Sequence, residues 1–312
     1  MLRHHLFYTC VAAVALLILI VAGGLKLYEM KKDSADGRLL IWKLSARMIA
    51  EKPMGYGYGM FEKNYNLRQA DYFADGDYTE TEKRNADFVL MPYNDFLEQG
   101  IEGGLPGLLF LLIFYVIMIR QAVRTEERES ASVFCAFAVM SLFNFIYTSI
   151  LPWLLLMCHA AHVASKERSM AGKHSLYCVP AVLIIPFAVI SWGVVKTTDA
   201  QLTLNRLNGH VHKGRPVSDG EYASIEGRIG TSEAYWTSRA INAMKAQRFN
   251  DALLHVRQAR RYSSSPALFL AEYKCQQAIG HTDAGDKSLD TLSHMIPQKF
   301  SVEQYQRKQI KQ

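Results

Sequence analysis

Long apolar runs confined to one part of the chain are the feature that most constrains its fold. Residues 1–196 contain several such runs, whereas residues 197–312 contain none and are polar throughout. This division explains why the mean hydropathy is close to zero although half of the 312 residues are hydrophobic. A run of about 20 apolar residues is long enough to cross the hydrocarbon core of a bilayer as a helix. The sequence therefore predicts a membrane domain, residues 1–196, and a polar tail, residues 197–312.

The apolar runs predict five membrane spans and hence an all-α, polytopic helical bundle. The first span is Phe7 to Leu25, the second begins with Leu105 to Ile119, and the fifth is about Leu176 to Val195. The third and fourth share residues 131–165, with Tyr147 to Pro152 as the turn between them. The first run also resembles a signal peptide, but it is long for one and no A-x-A cleavage site follows. We therefore favour a retained signal-anchor helix.

The positions of Lys and Arg set the expected orientation in the membrane. Arg3, the loop from Arg120 to Arg128 and the loop from Lys166 to Lys173 share one side if all five spans cross. Such basic loops are typical of the cytoplasmic face. The loop of residues 26–104 and the tail then face the periplasm of a bacterial inner membrane. This bias accounts for the net charge of +6, and no basic patch with exposed aromatic residues indicates nucleic-acid binding.

Cysteine and histidine spacing gives no metal site. No CxxC motif or Cys/His pair has the spacing of metal ligands, and four of the five cysteines lie inside apolar runs, where cysteine is usually a small hydrophobic residue. The five are Cys10, Cys135, Cys158, Cys178 and Cys275. His159 and His162 form an i,i+3 pair in the predicted fourth span. Such a pair is either a functional intramembrane site or an ordinary pair near the headgroups, and we favour the second interpretation.

The polar tail contains a weak internal repeat. Small and aromatic residues are spaced as in a helical hairpin of the tetratricopeptide type, and Gly280 and Pro297 indicate a second copy at a period near 33–34 residues. The first copy is marked by Ala246, Phe249, Ala252, Ala259 and Pro266. A generic helical hairpin is the alternative. In either case the tail is expected to be a binding surface for a protein partner or a spacer, and not a catalytic domain.

The loop of residues 26–104 begins with an amphipathic helix. One face is apolar and comprises Leu39, Leu40, Trp42, Leu44, Met48 and Ile49, and the other is basic and comprises Arg38, Lys43, Arg47 and Lys52. This pattern predicts a helix that lies in the membrane interface, in contact with membrane lipids, with Trp42 at headgroup depth. Pro53 is expected to end the helix.

A segment in which glycine and tyrosine alternate follows this helix. Gly55, Gly57 and Gly59 allow the backbone to turn tightly or to approach a ligand. Tyr56 and Tyr58 stand between them. These tyrosines are candidates for stacking on sugar rings, and interfacial anchoring explains them equally well.

The order of the motifs in the loop resembles the O-antigen ligase/polymerase family of bacterial membrane glycosyltransferases. Arg38 and Trp42 come first, then the segment from Pro53 to Gly57, and then Asn94, Leu97 and Gly104. The last three fit the family signature His-Asn-x-x-Leu, six residues, Gly. The segment from Asp33 to Arg38 and the repeat-containing tail resemble the Bacteroidetes-type branch of this family. The resemblance extends from about Lys31 to Pro297.

The resemblance implies an activity and a set of site residues. Family members transfer a glycan from a polyprenyl diphosphate to a sugar hydroxyl of a lipid or saccharide acceptor at the periplasmic face, without a metal or other cofactor. An arginine suits the diphosphate because its planar guanidinium is permanently charged, and Arg38 is the candidate. An arginine that binds lipid headgroups is the alternative. Trp42, Tyr56, Tyr58 and Asp95 are expected to contact substrate.

The sequence departs from the family signature at its histidine. Tyr93 occupies this position, and a tyrosine, with a usual pKa of about 10, is a poor general base at neutral pH. Tyr93 and Asn94 are nevertheless retained as catalytic candidates. Asn94 and Asp95 are expected either to orient the acceptor hydroxyl or to cap the helix that begins at Phe96 and Leu97, and we favour capping.

The sequence also departs from the family in length. Family members carry more spans before the loop, so this chain resembles the C-terminal part of a member and is expected to insert into the membrane without transferring glycan on its own. The alternative function is a non-enzymatic inner-membrane scaffold whose periplasmic tail recruits a protein partner. Dependence of glycan transfer on Arg38 would favour the enzyme.

Overall fold

The computed structural model describes residues 32–146, 149–171, 178–215 and 217–305. Within these ranges the protein is helical and contains no strand, as expected for an all-α protein. The predicted first span, Phe7 to Leu25, lies outside the described residues. The helices are α1 (Lys32–Glu51), α2 (Phe61–Ala74), α3 (Glu80–Asn85), α4 (Asp95–Glu102), α5 (Gly104–Arg124), α6 (Arg128–Ser141), α7 (Ile150–Ala171), α8 (Cys178–His212), α9 (Asp219–Ile229), α10 (Glu233–Lys245), α11 (Phe249–Ala259), α12 (Pro266–Ala278) and α13 (Thr282–Met295).

Helix α5 corresponds to the predicted second span. It has 21 residues, and in the described part of the chain it is the one helix long and apolar enough to cross a membrane. Large apolar side chains such as Phe110 and Val116 are exposed on it, whereas Leu111 and Tyr115 pack against α6 and α7. An outward-facing apolar surface on such a helix suits contact with lipid. The other four predicted spans remain predictions.

The structure corrects the predicted turn between the third and fourth spans. Helix α6 ends at Ser141 and α7 begins at Ile150, so the third span would end earlier than predicted and Pro152 lies inside α7. Asn144, which lies in the stretch shared by the predicted third and fourth spans, is outside α6 and belongs to the connection between α6 and α7. Helix α6 has 14 residues and rises only about 21 Å. This length is shorter than the roughly 30 Å hydrocarbon core of a bilayer.

Helices α1 to α4 pack around a core of their own. Leu44, Met48, Tyr65 and Ile101 are fully buried at its centre. The expectation that the apolar face of α1 lies in the membrane interface is therefore wrong for most of that face, because it is buried against protein. Leu39 alone among its leucines is mostly exposed. The sequence pattern was correct about which face is buried, but amphipathicity does not distinguish a protein core from a lipid surface.

The tail continues directly from the membrane domain. Helix α8 has 35 residues, so the proposed domain division at residues 196 and 197 falls inside one helix. The C-terminal half of α8 packs against α9 through Leu204, Leu207, Tyr222 and Ile225. This packing forms the first helical pair of the tail.

Two further helical hairpins follow in the tail. Helices α10 and α12 begin at Glu233 and Pro266, and α11 and α13 begin at Phe249 and Thr282, each pair 33 residues apart. Ala243 and Ala252 are buried where α10 meets α11, so small residues permit close approach of the two helices. Identification of these hairpins as tetratricopeptide repeats remains a prediction.

The last hairpin packs against helices α1 to α4, which we call the loop domain. Helix α13 lies along α2, and Ala70 of α2 is buried among Phe269, Leu292 and Met295 of the tail. Ser264 donates a hydrogen bond of 2.7 Å from its hydroxyl to the Glu62 carboxylate. Residues 61–74 and 266–296 therefore lie on the same side of any membrane that the chain crosses.

Candidate functional site

A close backbone contact places the two halves of the loop motif side by side. The Gly55 backbone contacts the junction of α4 and α5. A Cβ atom added to Gly55 would lie 2.4 Å from the Glu102 carbonyl oxygen, and a Cβ atom added to Gly104 would lie 2.4 Å from the Pro53 carbonyl oxygen. Both glycines also have positive φ values, 81° and 67°. Tyr56 N–H donates to the Ile101 carbonyl at 2.8 Å. Glycine is required here because no side chain fits between the two segments.

Arg38 projects from α1 towards the segment that precedes α4. Its guanidinium carbon lies 5.3 Å from the centroid of the Tyr93 ring, within the range of a cation–π contact. Its Nη1 atom donates a hydrogen bond of 3.2 Å to the Phe143 carbonyl. Tyr93 itself has a φ of 54°, which turns the backbone immediately before α4. The guanidinium has five N–H donors, so this one hydrogen bond leaves donors for a ligand.

Arg38 and Tyr93 line a cavity of about 320 Å³, which we call the Arg38 cavity. Its volume lies at the lower end of the range typical of ligand pockets, roughly 300–1,000 Å³. The walls come from α1, from α2 and from the chain between α3 and α4. The other lining residues are Ser34, Gly37, Leu40, Ile41, Gln69, Asn85, Asp87, Phe88 and Val89. The lining thus combines the positive charge of Arg38 and the carboxylate of Asp87 with amide, hydroxyl and apolar groups.

Asn94 and Asp95 hold the irregular connection between α6 and α7. The Asn94 side chain caps α4 by accepting from Leu97 N–H at 3.0 Å, as we had favoured, and its amide donates to the Leu142 carbonyl at 3.0 Å. Fully buried Asp95 accepts from Ile146 N–H at 3.1 Å. These bonds satisfy backbone groups of a non-helical segment, which would be costly to leave unpaired near hydrocarbon.

Trp42 lies beside the Arg38 cavity and not in its lining. Its indole N–H donates to the Pro92 carbonyl at 3.2 Å, and its ring lies 6.0 Å from that of Phe143. Arg38 and Trp42, one helical turn apart on α1, therefore contact the same two segments, the chain before α4 and the connection after α6. The structure brings Arg38, Trp42, Tyr93, Asn94 and Asp95 into one region.

Tyr56 and Tyr58 lie away from that cavity, at the glycine-rich segment. The Tyr56 ring packs on the core of the loop domain, and the Lys52 ammonium lies 4.7 Å from its centroid. Tyr58 is 68% exposed, and its hydroxyl donates to the Gln99 amide oxygen at 3.3 Å. If they contact substrate, they do so at a surface separate from the cavity lining.

Sequence reasoning missed Glu98 on α4. Burial, followed by the neighbouring carboxylates of Glu102 and Asp95, raises its pKa to about 7. Asp95, Glu98 and Glu102 are spaced i, i+3 and i+7, which places them on one helix face. That spacing was visible in the sequence, but the burial that shifts the pKa was not.

Sequence reasoning also missed two polar residues of α2 that hold the cavity wall. Asn66 is fully buried and makes two hydrogen bonds to the Val89 backbone. Its side-chain amide donates to the Val89 carbonyl at 2.8 Å, and its side-chain oxygen accepts from Val89 N–H at 2.9 Å. Gln69, also fully buried, donates to the Asp87 carbonyl at 2.8 Å. No sequence pattern indicates these pairs, because Asn66 and Gln69 bond to backbone distant in the sequence.

The His159 and His162 pair connects α7 to the start of α6. His159 Nδ1 lies 3.0 Å from the Ser130 hydroxyl, and His162 Nε2 lies 2.9 Å from the Glu127 carboxylate, which also pairs with Lys166 at 3.1 Å. These contacts favour the interpretation of an ordinary structural pair. Among the residues that the structure describes, no group of His, Cys, Asp and Glu could hold a metal ion.

Comparison with known proteins finds a family likeness in about the first third of the chain. Residues 2–112 match the family model described as O-antigen ligase. The matched segment includes the glycine contact, Arg38, Tyr93 and Asn94, and it ends inside α5, so the tail lies outside it. No curated protein and no solved structure matches the chain significantly. For residues 2–112 the match confirms the resemblance to an O-antigen ligase-type family, whose members are bacterial membrane proteins. The Bacteroidetes-type branch and the likeness of the tail remain predictions.

Proposed function

We propose that this chain, whose segment 2–112 is of the O-antigen ligase type, binds a polyprenyl diphosphate-linked glycan in the Arg38 cavity and takes part in transfer of the glycan to a sugar hydroxyl. The observation that carries the proposal is the position of Arg38. Its guanidinium is anchored by one backbone carbonyl and one aromatic ring at the edge of a cavity of about 320 Å³. The family match supplies the lipid-linked glycan and the saccharide acceptor as substrate classes.

The anchoring of Arg38 suits recognition of a diphosphate. The Tyr93 ring and the Phe143 carbonyl limit the rotamers of the long side chain, which reduces the entropy lost when a ligand binds. A guanidinium presents a planar fork of donors that matches two phosphate oxygens, and it does not lose its charge at any physiological pH. Stabilisation of a diphosphate leaving group requires such a fixed positive charge.

The proposed reaction is a displacement at the anomeric carbon of the donor glycan. The acceptor hydroxyl oxygen forms a bond to that carbon, and the bond from the carbon to the diphosphate oxygen breaks. The diphosphate leaves with the electron pair of that bond and stays attached to its lipid. The hydroxyl proton passes to a base or to water. Arg38 is proposed to neutralise the charge that develops on the diphosphate. Neither a metal nor another cofactor is required by this scheme.

The proposed topology places this site on the periplasmic face of the inner membrane. Arg38 and Asn94 both contact residues 142–146, so the connection between α6 and α7 lies with the loop domain. The tail packs on the same loop domain through α13. Loop, connection and tail therefore share one side. The basic residues from Arg120 to Arg128 lie in the last turns of α5 and just after it, at its other end, which is consistent with a cytoplasmic position. The outer hairpins of the tail are proposed as a surface for a protein partner.

Substitution of Arg38 tests the proposed function. In membranes that carry a lipid-linked glycan donor and a matched acceptor, Arg38→Ala is expected to abolish the chain's contribution to glycan transfer. Arg38→Lys is expected to restore part of it, because an ammonium keeps the charge but lacks the fork. Arg47→Ala is the matched control, since Arg47 also projects from α1 over an aromatic ring, that of Tyr72, but does not line the cavity. Equal transfer by the wild type and Arg38→Ala would refute the proposal.

A further inference from the structure

We propose that the C-terminal hairpin of the tail, α12 and α13 with the residues up to Phe300, forms the outer support of the Arg38 cavity and sets its charge through Lys299. The inference rests on the proposed function in one respect, that the ligand is a diphosphate. It assigns to the tail a role in the substrate site and not only in binding partners. Two separate contacts carry it, one for the position of the cavity wall and one for its charge.

Gln69 connects the cavity wall to the tail. Its side-chain amide donates to the Asp87 carbonyl at 2.8 Å and to the Met295 carbonyl at 2.7 Å, and its oxygen accepts from the Tyr65 hydroxyl at 3.1 Å. The side chain is fully buried. A buried amide that loses one of these partners would leave a polar group unpaired, which is costly. The position of Asp87 in the wall is thereby tied to the last turn of α13.

Phe88 extends this connection through apolar packing. Phe88 lines the cavity and also packs against the cluster that Phe269, Leu292 and Met295 form in the tail. On the opposite side the Asn66 amide group holds the neighbouring Val89 backbone. The wall segment, residues 87–89, therefore lies between α2 and the tail, and neither alone determines its position.

Lys299 determines the charge of that wall. The Asp87 carboxylate lines the same cavity as Arg38, and one of its oxygens accepts from Phe88 N–H at 2.8 Å while the other is paired with the Lys299 ammonium. A carboxylate without this partner would repel a diphosphate and compete with it for Arg38. Lys299 thus neutralises the acidic group that the wall presents.

A double-mutant cycle tests the charge. The purified chain in detergent is titrated with farnesyl diphosphate at low ionic strength, and binding is followed by calorimetry. Lys299→Ala is expected to weaken binding by about two- to fivefold, the range for exposed ion pairs, and less so in high salt. Asp87→Asn is expected to restore binding in Lys299→Ala to the wild-type level, because the double variant, like the wild-type ion pair, presents no net charge. A double variant that binds as weakly as Lys299→Ala would overturn the proposal.

Lys63→Ala is the matched control for this cycle. Lys63 also joins the loop domain to the tail, through a hydrogen bond of 3.0 Å to the Arg261 carbonyl, and it does not line the cavity. Its substitution by alanine removes the same charge as Lys299→Ala. Binding by this variant is expected to equal that of the wild type. A loss as large as that of Lys299→Ala would show that net charge or tail docking in general is responsible, and would overturn the specific role of Lys299.

Hydrogen–deuterium exchange tests the wall without any ligand. Gln69→Leu is expected to accelerate amide exchange in peptides that cover residues 86–93, whereas Ser264→Ala, which removes a tail contact to Glu62, is expected to leave them unchanged. If the wild type does not bind farnesyl diphosphate, the proposed function fails while the exchange result still decides the role of the tail. Unchanged exchange in Gln69→Leu, or Lys299→Ala binding equal to wild type when the wild type binds, would overturn this inference alone.

Discussion

The guanidinium of Arg38 lies over the ring of Tyr93, at 5.3 Å from the centroid. Tyr93 occupies the position at which the family signature has a histidine, so the aromatic residue here supports the candidate phosphate ligand directly. A left-handed backbone at Tyr93, with a φ of 54°, brings the ring to this position. The contact explains how the departure from the signature remains compatible with a diphosphate site.

Substitutions of Tyr93 separate the role of its ring from that of its hydroxyl. Tyr93→Phe is expected to bind farnesyl diphosphate as the wild type does, because the ring under Arg38 remains. Tyr93→Ala is expected to bind a few-fold more weakly, since a partly exposed cation–π contact contributes about 0.5–1 kcal/mol. Calorimetric titration in detergent measures both. Stronger binding by Tyr93→Ala than by Tyr93→Phe would contradict the supporting role of the ring.

Tyr93→His restores the signature residue and is expected to fold, because histidine tolerates a positive φ better than most residues. Its imidazole titrates near neutral pH, so glycan transfer is expected to equal or exceed that of the wild type and to rise with pH between about 6 and 8. Transfer rates across that range provide the measurement. A variant that folds but transfers glycan more slowly at every pH would show that the tyrosine is specifically required.

The contact between Gly55 and the α4–α5 junction predicts a large loss of stability on substitution. Gly55→Ala places a Cβ atom 2.4 Å from the Glu102 carbonyl oxygen, and both partners are backbone. Gly59→Ala is the matched control, because Gly59 also has a positive φ, 75°, but no atom within 4 Å of the added Cβ. The control is expected to lose roughly 1–2 kcal/mol from its left-handed backbone, and Gly55→Ala clearly more. Equal melting temperatures of the two variants would disprove the close packing.

Glu98 predicts a pH dependence of stability. Its pKa in the folded protein, about 7, lies above the value of about 4.3 expected in the unfolded chain. Its favourable effect on the free energy of unfolding is therefore fully present below the unfolded pKa, where the carboxyl is neutral. This effect is lost as the pH rises through about 7 and the buried group becomes charged. Glu98→Gln is expected to melt like the wild type at pH 4 and at a higher temperature at pH 8. Exposed Glu80→Gln serves as control and should show no such divergence; a divergence equal to that of Glu98→Gln would contradict the account.

Cysteine labelling tests the orientation. Asp75 of the loop and Gln247 of the tail are both exposed. In a cysteine-free background, a single cysteine at either position should react with a membrane-impermeant reagent added from the periplasmic side. A cysteine at Glu129, beyond α5, should react only after the membrane is opened. Ser264 of the tail is unsuitable for such labelling because it is 1% exposed. Labelling of Glu129 but not Asp75 in sealed cells would reverse the topology.

Local patterns in the sequence predicted much of the candidate site. The alternation of glycine and tyrosine indicated the tight segment at Gly55. The motif order made Arg38 a candidate, and its role as a phosphate ligand remains a prediction. Asn94 was expected to cap α4 and does so. These features are visible because each depends on a few neighbouring residues and on the intrinsic preferences of glycine, arginine and asparagine.

Contacts between distant segments could not be predicted in this way. Gln69 bonds to the backbone of Met295, 226 residues away, and Asp87 pairs with Lys299. Hydropathy indicated an amphipathic helix at α1, but the same pattern fits a lipid surface and a protein core, and the structure shows a core. The tail could be assigned as helical hairpins without any indication that its last one supports the cavity.

Direct titration of the chain with a prenyl diphosphate tests the central claim most directly. Purified protein in detergent is titrated calorimetrically with farnesyl diphosphate, farnesyl monophosphate and farnesol. The wild type and Arg47→Ala are expected to bind in that order of affinity, and Arg38→Ala is expected to lose the preference for diphosphate, because the guanidinium fork that reads it is gone. Wild-type protein that binds farnesol as tightly as farnesyl diphosphate, or Arg38→Ala that keeps the full preference, would contradict the assignment of Arg38 as the diphosphate ligand.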